Sequence, residues 1–194
     1  MKTYEDRLAE LKDVVIQTIW TYTVFSEYWK KSENLAEARM AHPEFSLVLH
    51  NSLLFNFFIS TRILFKGGGN DESLPNLIAH FERTHHKPAL SEQLRAKNKS
   101  LEDTLEKLRD LRDDVFAHRF QDKKAEEEMK AIKPRLDTMK EVANLAKEIL
   151  NELLDKTDRE FLDGQQLSKS TLDRLAADTQ MVLQAFLTAG TVGA

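Results

Sequence analysis

An arginine and a histidine six residues apart on one helix can hold and protonate an anion. The stretch Leu108–Arg119, LRDLRDDVFAHR, supplies such a pair in Arg112 and His118. At about 100° per residue, Leu101, Leu105, Leu108, Val115 and Phe116 share one arc of a helix, and Arg112 falls in the middle of it. A guanidinium is permanently charged, so burying it without an anion or acceptor would cost several kcal/mol, and the pattern predicts a partner for it. His118 lies about 9 Å further along the axis and roughly 120° round, at the edge of the apolar face beside Leu111. The two groups diverge within one helix. They converge on one ligand if the helix ends near His118, or if a second copy of it supplies the complementary group. An ordinary reading competes. Asp110, Asp113 and Asp114, interleaved with Arg109 and Arg112, also suit a solvated helix face, worth about a few tenths of a kcal/mol per pair, with His118 placed well at a helix C-terminus.

Positioning such a pair requires a folded scaffold, and 194 residues suffice for one domain with a real core. The 28 Lys and Arg against 32 Asp and Glu give a net charge of −4, so no global basic field draws in nucleic acid and any phosphate contact must be local. The absence of cysteine removes disulfides, thiolate metal sites and thiol nucleophiles. The first residues, MKTYED, lack the basic and apolar blocks of a signal peptide, which predicts a soluble cytoplasmic protein.

Helical periodicity runs through the chain and no period-two strand appears. Residues 3–31 predict a first helix through Leu8, Leu11, Val15, Ile19, Tyr22, Phe25 and Trp29, with Lys30 and Lys31 at its end. Pro43 suits a first helical position. The run from Phe45 to Phe65 is apolar on almost every side and predicts a central helix, buried by the others and by a second subunit. His50, Asn51, Asn56 and Arg62 argue against a membrane span. Gly67–Asp71 ends it as a loop with no phosphate-binding character, since no Gly-Lys-Ser/Thr ending follows. Leu74, Leu77, Ile78 and Phe81 predict a short helix over 73–85, and Ser91–Arg119 one long helix or two, with Ser100–Asp103 as a capping box if Asn98 marks a break. Phe120–Glu128 reads as a charged, solvated connection. Pro134 marks a kink or a start, ahead of a helix carrying Leu136, Met139, Val142, Leu145, Ile149, Leu150 and Leu153. After a turn at Asp163–Gly164, Ser170 caps a last helix with Leu172, Leu175, Met181, Leu183 and Phe186 inward. The fold class is an all-α bundle of five to seven helices in one domain, residues 159–194 giving the C-terminal helix and a short flexible tail. Trp20 and Trp29 belong to the core, and His50 to the core or an interface. Glu82-x-x-His85 has a di-iron spacing without the second copy such a centre needs, so no metal and no cofactor are expected.

At Arg112-Asp-Asp-Val-Phe-Ala-His118 the chain resembles the HEPN superfamily, whose signature is an Arg, a polar residue after it, and a His four to six positions beyond; here five residues intervene and Asp113 takes the polar place. The ending FAHR, and the long first helix before an apolar second one, are similar to the abortive-infection branch. The resemblance implies a metal-independent endoribonuclease of a phage-defence or toxin-antitoxin type, acting as a homodimer in which both copies of Arg112 and His118 line a shared cleft. In such a site His118 is the general base or acid, Arg112 holds the phosphate and Asp113 orients the site. Asp114, four residues before His118, favours the imidazolium and with Arg119 belongs to the substrate-binding side. RNA and an antitoxin protein are the implied partners, and no membrane is. The alternative is a non-catalytic helical interaction or RNA-binding module, since members of the superfamily also serve in binding.

Overall fold

The computed structural model describes residues 3–29, 43–65, 73–85, 87–100, 104 and 125–190. The fold is an all-α bundle, and the described residues contain no strand. Its helices are α1 (Tyr4–Tyr28), α2 (Pro43–Phe65), α3 (Leu74–His85), α4 (88–100), α5 (Ala125–Leu153), α6 (Lys156–Phe161) and α7 (Lys169–Gly190), with a π-helical segment, Leu162–Gln166, between the last two.

The first helix starts where its chemistry dictates. Thr3 caps it through a reciprocal box: its Oγ1 accepts from the Asp6 amide at 3.1 Å and its own amide donates to Asp6 Oδ2 at 2.9 Å, satisfying donors that the first turn leaves open. From there α1 packs against α2, α3, α5 and α7. Its buried side chains, Tyr4, Leu8, Leu11, Val15, Ile19 and Phe25 among them, extend through the main core. Each fully buried aliphatic contributes roughly 1.5–3 kcal/mol by leaving water. Thr18, buried mid-helix, satisfies its hydroxyl on the Val14 carbonyl at 2.7 Å.

The hub is therefore α1, not α2 as the hydrophobicity of Phe45–Phe65 leads one to expect. α2 starts at Pro43 as read and ends at Phe65, but only one side of it is covered. Leu54, Phe57 and Leu64 are buried, while Val48, Phe55, Ile59 and Ile63 are exposed. By length and composition it is one helix apolar enough to cross a membrane, yet its inner side packs on α1 and α3. α3 matches expectation, with Leu74, Leu77, Ile78 and Phe81 all buried.

Other expectations need correction. α4 begins at Pro88 and passes Asn98 without a break; Ser100 Oγ donates back to the Lys97 carbonyl at 2.7 Å instead of capping a new helix. α5 begins at Ala125 and runs through Pro134, which neither starts nor ends it. Asp163 and Gly164 lie inside the π segment, where Leu167 N–H donates to the Leu162 carbonyl at 2.8 Å. Ser168 rather than Ser170 caps α7, its Oγ accepting from the Thr171 amide at 3.2 Å. Met181 is exposed, and so is Trp20, whose Nε1–H donates to the Gln166 carbonyl at 3.2 Å. Lys30, Lys31, the Gly67–Asp71 loop, residues 120–124 and the tail 191–194 lie outside the described residues.

Candidate functional site

Arg112, Asp113, Asp114, His118 and Arg119 fall within residues 105–124, outside the described residues, so their geometry is not part of this structure. What is described is the scaffold that leads into them and out again. α4 carries buried Ser91 and Leu94 on its inner side, and Thr104, one turn past it, is helical and buried. The amide and the hydroxyl of Ser91 both donate to the Lys87 carbonyl at 3.1 Å, which satisfies a buried polar group at the start of the helix. Two ion pairs tie α4 down on either side. Arg95 pairs with Glu82 of α3, and Lys97 with Glu148 of α5 at 3.3 Å. Both are exposed, so each contributes at most about 1 kcal/mol and chiefly sets the helix's register.

Three of the six histidines are described elsewhere, and each has a structural occupation. His50 accepts a hydrogen bond on Nδ1 from Trp29 Nε1–H at 3.1 Å, so in this arrangement its proton sits on Nε2. Its ring lies 5.3 Å from that of Phe25, which joins α2 to the end of α1. His85 stacks on Phe81 with centroids 4.5 Å apart and contacts the Thr84 hydroxyl through Nδ1 at 2.9 Å. His80 meets Tyr4 edge-on at 5.7 Å.

The sequence offered little sign of the cluster these rings form. Tyr4 stands at its centre, against His80, Phe81 and His85, and its hydroxyl donates to the Leu153 carbonyl at 3.1 Å. Burial, and secondarily the neighbouring Glu5 carboxylate, push the Tyr4 phenol up to about 12. A proton held that firmly takes no part in chemistry near neutrality; the cluster fastens α1 to α3 and α5. Tyr22 is likewise pushed up, by burial first and then by Asp137 and Glu27. Glu82 of the Glu-x-x-His pair is engaged by Arg95, and among the described residues no group of three His, Asp or Glu side chains is placed to hold a metal ion.

The family model of AbiU2, a HEPN family, matches residues 1–178. The chain belongs to this family. The match spans α1 to α6, the π segment and the first half of α7, and it includes the Arg112–His118 stretch. Membership in this abortive-infection HEPN family suggests a role in phage defence, and the all-α bundle agrees with it. No curated protein and no solved structure matches the chain.

Proposed function

We propose that this AbiU2-family chain is a metal-independent endoribonuclease of phage defence, acting in the cytoplasm as a homodimer with a composite Arg112/His118 site. The observation that carries the reading is the family match over residues 1–178, inside which an Arg, a polar Asp113 and a His stand at the spacing of the HEPN signature. The chemistry fits these residue types. RNA brings its own nucleophile: the 2′-oxygen bonds to phosphorus, the bond from phosphorus to the 5′-oxygen breaks, and the products are a 2′,3′-cyclic phosphate and a 5′-hydroxyl. One proton must leave the 2′-hydroxyl and one must reach the departing 5′-oxygen. An imidazole near its ordinary pKa does either, and two copies of His118 in a shared cleft do both. Arg112 neutralises the charge that grows on the phosphate oxygens. Asp113 orients the pair, while Asp114 and Arg119 border the substrate.

Purified protein is expected to cut single-stranded RNA in excess chelator and to leave cyclic-phosphate ends. His118→Ala should lower the rate by about 10²-fold or more at unchanged helicity, the usual scale for losing a general acid or base. Full cleavage by that variant removes His118 from the mechanism. The alternative, a non-catalytic interaction module for an antitoxin or another partner, is favoured by one observation, the exposed apolar side of α2. It predicts no cleavage by the wild type under any of these conditions.

A further inference from the structure

The exposed residues of α2 are not scattered. Phe45, Val48, Ser52, Phe55, Ile59 and Arg62 follow one another at alternating steps of three and four, the spacing of a coiled-coil seam, with Ile63 on its flank. Exposure is 39% at Phe45, 63% at Val48, 53% at Phe55, 42% at Ile59 and 43% at Ile63. Taking roughly 150–200 Å² for each such residue when fully open, the seam presents about 400 Å² of apolar surface. That is about half of the ~800 Å² per partner in a standard stable interface, close to the usual apolar share of one.

We propose that this seam pairs with the same seam of a second copy, antiparallel, about a two-fold axis passing between Leu53 and Leu54. The inference rests on the dimer in the reading above and gives that dimer a surface and a register. In antiparallel helix pairs the two seam positions face each other across the axis. Val48 then meets Ile59 of the second copy, and Phe55 meets Ser52, the largest ring against the smallest side chain. The Ser52 hydroxyl is satisfied on the Val48 carbonyl within its own helix, as Thr18 and Thr23 are satisfied in α1. At each end Phe45 faces Arg62, which brings Glu44 beside Arg62 as well. Both of these charged residues are exposed, and among the described residues neither forms an ion pair. The two-fold axis makes the complementarity occur twice, closing both ends of the seam with opposite charges.

A second copy suits this surface better than a lipid bilayer does. The seam is narrow, carries Ser52 within it and is bounded by Glu44 and Arg62. The opposite side of the same helix, Leu54, Phe57 and Leu64, is held in the bundle core. A helix lying in a membrane interface presents a broader apolar face rimmed with several cations.

The full-length chain tests this by sedimentation velocity, thiol crosslinking and vesicle flotation. Wild type should be dimeric at micromolar concentration, and Phe55→Glu should be monomeric, weakened at least 100-fold, with unchanged circular dichroism. Glu44→Arg alone and Arg62→Glu alone should each weaken self-association several-fold, whereas an equimolar mixture of the two should form the heterodimer, in which both end pairs are restored. Because the chain has no cysteine, Ser52→Cys introduces a single thiol. The two copies of position 52 are offset by only about 4–5 Å along the axis, so a short bismaleimide should join them, and should fail with Met181→Cys on α7. A wild-type monomer overturns the pairing, including one that floats with phosphatidylcholine–phosphatidylglycerol vesicles. So does a dimer that survives Phe55→Glu, whose interface lies elsewhere. A dimer with the expected crosslink that cuts no RNA leaves the pairing in place and sinks the nuclease reading. An RNA-cutting dimer without the crosslink does the reverse.

Discussion

α1 and α2 are both long and adjacent, yet they hold opposite positions in the molecule. The more apolar of the two is the more exposed. α1 has charged residues along much of its length and still touches four other helices, because its apolar positions spread over several faces and its polar ones find internal partners, as Gln180 Nε2 does on Glu27 at 2.8 Å. α2 is rich in Phe, Leu and Ile, but its apolar positions divide into an inner set that builds the core and an outer set that faces water. Total hydrophobicity measures how much a helix has to hide. It does not say whether its own chain does the hiding.

The sharpest way to break this comparison is to truncate the two phenylalanines two residues apart on α2. Phe57→Ala, inside, should cost about 3–5 kcal/mol in denaturant unfolding, whereas Phe55→Ala, outside, should cost monomer stability less than about 1 kcal/mol. Equal losses would mean that the outer side is covered within one chain. In the hub, Leu11→Ala should cost about 2–5 kcal/mol, at least as much as any aliphatic truncation in α2. Removing a single polar tie from α1 comes next. Tyr4→Phe loses the bond to the Leu153 carbonyl and should cost about 1 kcal/mol in the same measurement. The pH dependence at this residue has a definite sign. The folded phenol holds its proton to about 12 while the unfolded one releases it near 10, so the stabilisation is complete below about pH 10 and fades as pH rises towards 12. Ultraviolet titration of the three tyrosines should accordingly show Tyr4 ionising late in wild type, and only on unfolding. The smallest effect belongs to the outer seam: Ile59→Ser should move the stability of the monomer by no more than about 0.5 kcal/mol.

Much of the helical content was legible because apolar residues recur at the helical period regardless of what covers them. α3 was read correctly to its four inward residues, and Pro43 marked the start of α2 because its fixed φ and missing donor fit a first turn. The failures have physical causes. Ser168 and Ser170 are equally good caps by type, and only the arrival of the Thr171 amide at Ser168 decides between them. Asp-Gly normally signals a turn, but Leu162 and Leu167 are both buried here, and a wider helical turn keeps both inward where a tight turn would expose one. Pro134 sits within a 29-residue helix whose long apolar face outweighs one lost hydrogen bond. Trp20 was assigned to the core by its type, yet its indole is satisfied at the surface by the Gln166 carbonyl. The candidate site was legible only as the spacing of Arg112 and His118, together with the fold the family shares. The described residues add its supporting helix, α4, held by α3 and α5.

The two indoles of the chain mark opposite stations along α1. Trp20 rests half in water on the π segment, while Trp29 is tucked against Phe25 and hydrogen-bonded to His50. Nature has thus wired the central rod with two lamps of different colour, one reading the junction towards α7 and the other the seam between α1 and α2. Their emission gives each end of the bundle its own melting curve without any label.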